Sequence, residues 1–180
     1  MDIFLVVVAM ALLAFLLSGF IKNKKVVLLV IGIIVLGMVV LFDQSKYTTF
    51  SELYESKLKQ DTEVESMTLT INQPSDDNPT LPDRTAFIKI EDQTIIDQII
   101  NDLSKAELKR EDDEAFFRKY ELRFVVTNKV KEEHYRSEFL HISLDDQYLS
   151  RYKIVNEANH LQTIESLVEN NELDWEYITE

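Results

Sequence analysis

Cysteine is absent, which excludes disulfides, thiolate metal sites, a cysteine nucleophile and a lipid-modified cysteine. Glycine is scarce: Gly19, Gly32 and Gly37 are the three in the chain, and all lie within the first 42 residues. Residues 43–180 therefore hold no glycine-rich phosphate loop. They also lack the glycine-flanked turn that usually presents a serine nucleophile. Proline is confined to Pro74, Pro79 and Pro82. Charge is missing from two long stretches, residues 3–21 and 26–42, of 19 and 17 residues.

Those two stretches give the chain its division. A mean hydropathy of −0.12 averages two unlike parts. Residues 1–42 hold three lysines and Asp2, a net charge of +2, whereas residues 43–180 hold 16 basic and 31 acidic side chains, a net of −15. At roughly 1.5 Å per residue the uncharged runs reach about 28 and 26 Å as helices, close to a hydrocarbon core of about 30 Å. The lysines of IKNKKV, Lys22, Lys24 and Lys25, separate the runs. A signal peptide fits the first run poorly, because the chain opens Met1-Asp2 without a basic residue and Leu17-Ser18-Gly19-Phe20-Ile21 is a poor cleavage site. The reading is a two-helix transmembrane hairpin, helices 3–21 and 26–42, in a multi-pass cell-membrane protein whose first partner is the lipid bilayer. Positive charge stays on the cytoplasmic side, so Lys22, Lys24 and Lys25 determine the topology. The loop 22–25 is expected inside, with the N-terminus and the C-terminal domain outside. Gly19, Gly32 and Gly37 are expected to let the two helices pack closely, since the spacing of five between Gly32 and Gly37 is not a GxxxG face.

Beyond residue 42 the pattern is that of a folded domain. Residues 43–62 read as a juxtamembrane helix or linker. Thr49 and Glu52 have capping-box spacing, and Phe50, Leu53, Tyr54 and Leu58 share a face that lies either in the membrane interface or against the domain. In the domain, residues 63–180, period-two alternation predicts strands over 63–71, 85–91, 119–127, 138–144 and 147–155. Ile95, Ile96, Ile99, Ile100 and Leu103 make a helical stripe over 92–105, with Asp92 or Thr94 at its start, and a last helix runs over 159–170, capped by Asn159. The prolines mark a loop over 72–83, and Trp175 and Tyr177 are expected to pack the C-terminal tail. The order β-β-α-β-β-β-α predicts an α+β domain whose antiparallel sheet carries its helices on one face.

Chemistry-bearing residues form no recognisable set. His134, His141 and His160 lie apart in a loop, on the outer face of a strand and at a helix start, without metal-ligand spacing. Asp76-Asp77, Glu111 to Glu114 and Asp145-Asp146 offer oxygens to calcium but lack the spacing and glycine of an EF-hand loop. No catalytic, cofactor or metal residue is assigned, and no cofactor is expected. A net of −15 repels nucleic acid and suits a cationic peptide or the basic patch of another membrane protein.

From Ser66 to Tyr177 the chain resembles small extracytoplasmic domains of Gram-positive bacterial lipoproteins and membrane proteins. The likeness rests on MTLTI, the Pro/Asp loop, FIKIEDQTIIDQIINDLSKAELK, YELRFVV, and YLSRYKIVN before a final helix. It implies an extracytoplasmic place and no particular activity, and this chain lacks the lipid-attachment cysteine of the lipoproteins. The expectation is a membrane-anchored, non-catalytic binding or accessory domain. The alternatives are an immunity or regulatory protein that binds a cationic peptide or toxin, and a metal-dependent enzyme.

Overall fold

The uncharged run after Lys25 coils into one helix, α1 (Lys24–Gln44), in a computed structural model that describes residues 24–58, 62–78, 81–111, 117–131 and 134–178. The chain divides into two compact units, Met1–Lys46 and Tyr47–Glu180. In the first, α1 closes with Ser45 donating from its amide to the Leu41 carbonyl at 2.9 Å and from Oγ to the Phe42 carbonyl at 2.8 Å. The Lys46 ammonium lies 5.6 Å from the centre of the Phe42 ring.

This geometry overturns the hairpin. Lys24 and Lys25, expected in a closing loop, form the first turn of α1. Lysine has good helix propensity, so Lys24 and Lys25 are compatible with the first turn of the helix. Among the described residues one helix is long and apolar enough to cross a membrane, Lys25–Gln44, with a mean hydropathy of 3.0. A multi-pass chain with both ends outside and a cytoplasmic loop at 22–25 is not supported. The expected first helix, 3–21, lies outside the described residues, as do Gly19 and Lys22. Among the described residues a Cβ added at Gly32 or Gly37 meets nothing within 4 Å, and the helix they were expected to pack against lies outside those residues.

Among the described residues the second unit holds a nine-stranded sheet and three helices. Its elements are β1 (Tyr47–Thr49), α2 (Phe50–Tyr54), β2 (Thr62–Pro74), β3 (Pro82–Ile90), α3 (Gln93–Ser104) and β4 (Glu107–Arg110), followed by β5 (Tyr120–Lys131) and β6 (His134–Leu144). After them come β7 (Tyr148–Leu149), β8 (Tyr152–Ile154), α4 (Gln162–Glu169) and β9 (Glu176–Tyr177). The order across the sheet is β1-β4-β8-β7-β6-β5-β2-β3-β9, and every pairing is antiparallel.

Alternation along the central strands builds the core. Ile88, Leu69, Leu122 and Ile142 stand in one row across four strands, and Ile90, Met67, Phe124 and Leu140 in the next. All eight are buried, in one cluster with Ile96, Ile99 and Leu103 of α3 and Ile164 and Leu167 of α4. Each such side chain contributes about 1.5–3 kcal/mol through burial. The opposite face, with Arg123 stacked 4.1 Å over the exposed Phe139 ring, is left to solvent.

The expected β-β-α-β-β-β-α order is also overturned. Three short strands, β1, β4 and β9, carry too few residues to show alternation in sequence. The single strand expected over 147–155 is two, broken where Ser150 takes a left-handed conformation (φ 53°). The proline loop is shorter than expected: β2 runs on to Pro74 and β3 starts at Pro82, paired with each other at the hairpin's end. Proline is tolerated there because a strand terminus can spare an N–H. Tyr177 stays exposed in β9, whereas Trp175 packs partly buried on the core.

The segment after α1 docks on its own unit. Phe50 is fully buried, and Leu53, Tyr54 and Leu58 pack beside it. A capping box fixes its start: Thr49 Oγ1 accepts from the Glu52 amide at 3.3 Å, and Glu52 Oε2 accepts from the Thr49 amide at 3.0 Å. Thr49→Ala is expected to cost about 1 kcal/mol, read as a lower midpoint of thermal unfolding. An unchanged midpoint would show that Phe50 alone holds the segment.

Candidate ligand-binding cleft

A cleft of about 490 Å³ opens where β2 ends, β5 begins and the β6–β7 turn meets α4. Asn72, Lys119, Asp145, Asp146, Tyr120 and Glu165 are among its lining residues. Asn72 sits just after an irregularity in the β2–β3 register and is only 7% exposed. Its amide nitrogen Nδ2 donates to the Arg118 carbonyl at 3.2 Å, and its backbone N–H to the Lys119 carbonyl at 2.8 Å. Its side-chain oxygen Oδ1 is buried without a partner. Arg118 Nε is likewise buried without a partner, and each such unmatched atom costs about 1–3 kcal/mol.

The turn wall is held by Arg118, 8% exposed. Its guanidinium donates to the Phe117 carbonyl at 2.9 Å and the Ser150 carbonyl at 3.2 Å, and pairs with Asp145 at 3.2 Å. It also lies 4.3 Å from the centre of the Tyr148 ring. Asp145 Oδ1 meanwhile accepts from the amides of Gln147 and Tyr148, both at 2.8 Å. Asp145 is therefore committed to structure, which leaves Asp146 and Glu165, both exposed, as the available carboxylates. Lys119, exposed at the rim, is held protonated more firmly than an ordinary lysine: a hydrogen bond with the Tyr120 side chain pulls hardest, and the charges of Glu165 and Asp146 add to it.

His160 is not a surface histidine. It is 4% exposed, with Nε2 at 2.8 Å from the Asp145 carbonyl and Nδ1 at 3.2 Å from the Ala158 carbonyl. His141 stays on the outer sheet face, 3.7 Å from Glu121, and His134 begins β6 as an exposed residue. Among the described residues no three His, Asp or Glu side chains are placed to hold a metal. Asp76 and Asp77 remain exposed in the β2–β3 loop, and Glu111 accepts from the Tyr148 hydroxyl at 3.2 Å. Residues 112–114 of the acidic run lie outside the described residues. Of the lysines expected to set the topology, Lys24 and Lys25 begin α1, far in sequence from this cleft, and Lys22 lies outside the described residues.

Sequence reasoning missed Asn72, Arg118, Lys119 and Glu165, because residues from separate segments meet only through the sheet register. Compared with protein-family models, curated proteins and solved structures, the chain matches none.

Proposed function

We propose that the chain is a membrane-anchored, non-catalytic binding domain, with α1 as anchor and the unit from Tyr47 onward working on the extracytoplasmic side. The observation that carries the binding reading is the cleft of about 490 Å³, whose lining comes from β2, the start of β5, the β6–β7 turn and α4. The side follows from Lys24 and Lys25 at the start of α1, which favour a cytoplasmic N-terminal end for that helix.

Two measurements test this. The chain has no native cysteine, so Asp77→Cys gives a single thiol in an exposed loop. A membrane-impermeant maleimide is expected to label it in intact cells; labelling only after lysis refutes the orientation. A benzophenone-bearing residue in place of Gln73, at the cleft rim, is expected to give one discrete adduct on irradiating intact membranes. No adduct, or the same adducts from position 97 on α3, would refute the binding reading.

A further inference from the structure

We infer that β6 pairs edge to edge with β6 of a second copy of this chain, antiparallel about a twofold axis at Ser137, an association that goes beyond the binding reading and does not involve the cleft. On one side β6 is fully partnered, since residues 135–144 pair in unbroken register with β5. On the other side it meets β7 at Leu144, and among the described residues no strand covers it from Tyr135 to Ile142. That uncovered side carries backbone groups. The Ser143 carbonyl turns toward β7, accepting from the Ser150 amide at 2.6 Å, and the Phe139 carbonyl turns the same way, accepting from Lys57 Nζ at 3.4 Å. In an antiparallel ladder alternate residues aim both N–H and C=O at the same neighbour. Tyr135, Ser137 and His141 therefore present theirs on the open side with Phe139, a template for one more strand.

The side chains specify which strand. Tyr135-Arg136-Ser137-Glu138-Phe139 complements itself when one copy is reversed. A twofold axis at Ser137 sets Arg136 against Glu138 of the partner subunit and Tyr135 against Phe139 of the partner subunit. Opposite charges and aromatic pairs across strands are both stabilising. The same axis brings outward-facing backbone groups opposite one another at all three odd positions, so each facing pair exchanges its hydrogen bonds. Moving the axis by one residue sets Arg136 against Arg136 or Glu138 against Glu138, like charges in either case. Tyr135 and Phe139 are exposed, as is the Arg136 side chain, so these groups are available to a second chain. Lys57 guards the edge in the single chain. Its side chain is 39% exposed and its bond to the Phe139 carbonyl is long, so it yields that carbonyl to the Tyr135 amide of the partner subunit at little cost.

The experiment is oxidation with membrane-permeant diamide in intact cells that make the full chain, which has no native cysteine to interfere. Ser137→Cys is expected to give a disulfide-linked dimer, because the axis brings this position against itself. Asp77→Cys, in an exposed loop, is expected to stay monomeric. Tyr135→Cys alone is expected to stay monomeric too, since its two copies lie about 13 Å apart along the strands, whereas made together with Phe139→Cys in a chain of different size it is expected to give the mixed dimer. In the Ser137→Cys chain, Arg136→Glu or Glu138→Arg is each expected to lower the dimer fraction about fivefold. The two made together are expected to recover it as a mixed dimer, which a pairing within one chain could not do. Linkage of Ser137→Cys no greater than that of Asp77→Cys would overturn the inference. Equal linkage of Tyr135→Cys with itself and with Phe139→Cys, or no recovery in the mixture of charge variants, would overturn it as well.

Discussion

Replacing Arg118 with alanine is expected to destabilise the domain by about 4 kcal/mol, because it breaks a buried ion pair by removing one partner. Asp145 is left without its cation, the Ser150 carbonyl without a donor, and the Tyr148 ring without the guanidinium stacked on it. Ser150 already holds a left-handed backbone, a conformation that costs roughly 1–2 kcal/mol for a residue with a Cβ. The Arg118 contact to its carbonyl and the 3.3 Å bond between Ser150 Oγ and the Tyr54 hydroxyl help to offset that strain. Loss of Arg118 should therefore loosen the turn that carries Asp145 and Asp146, and lower the thermal midpoint by on the order of 15 °C. Arg118→Lys keeps the charge but loses the planar fork, so it should recover only part of the stability. Thermal melts of the full chain in detergent check both, and a loss under about 1 kcal/mol for alanine would show that the network is dispensable.

The Arg118 network is invisible in sequence for a reason that applies to much of this fold. Periodicity reports elements whose side chains see one environment along their length. It therefore marks β2, β3, β5, β6 and the stripe of α3, whose residues Ile96, Ile99 and Leu103 are fully buried. It also locates Asp92, whose Oδ1 accepts from the Thr94 amide at 2.8 Å, and the Thr49–Glu52 box, because caps act over three residues. It fails where the deciding partner is distant. Lysines between two apolar runs resemble a loop, although lysine is compatible with the helix that forms there. Edge strands β1, β4 and β9 exist because a neighbouring strand offers hydrogen bonds, which no local pattern records. His160 looks exposed in sequence, yet the Asp145 carbonyl lies 15 residues away along the chain and 2.8 Å away in space. The cleft is the extreme case, since its acceptors come from β2, the β6–β7 turn and α4.

Asp102 is different, because its signal is local, and it carries the second large prediction. It lies three residues after Ile99 and seven after Ile95, so it belongs to the buried stripe of α3 rather than to its wet face. It is 5% exposed. Asn159, the expected cap of the last helix, does not serve; α4 begins after Leu161, which offers no side-chain cap. Asp102 supplies the cap from another helix. Its Oδ2 accepts from the Thr163 amide at 3.1 Å and the Thr163 hydroxyl at 2.6 Å, while Oδ1 accepts from Lys105 at 2.8 Å. Burial is the largest single influence on this carboxyl and pushes its pKa up, but the bonds from Lys105 and Thr163 together outweigh it and hold the group below the usual carboxylate range. Asp102→Ala is expected to cost about 3 kcal/mol at neutral pH, combining a charged hydrogen-bond acceptor with a lost helix cap. Because the folded pKa is the lower one, the charge-dependent part of this stability is fully present above the unfolded value of about 3.9 and is lost as pH falls through the folded value. Urea unfolding of both proteins should thus give a constant difference from pH 8 down to about pH 5, narrowing below pH 4 as the wild-type carboxylate takes up its proton. A difference that stays the same at pH 3 would mean that Asp102 acts by filling space, and that the join between α3 and α4 is apolar contact alone.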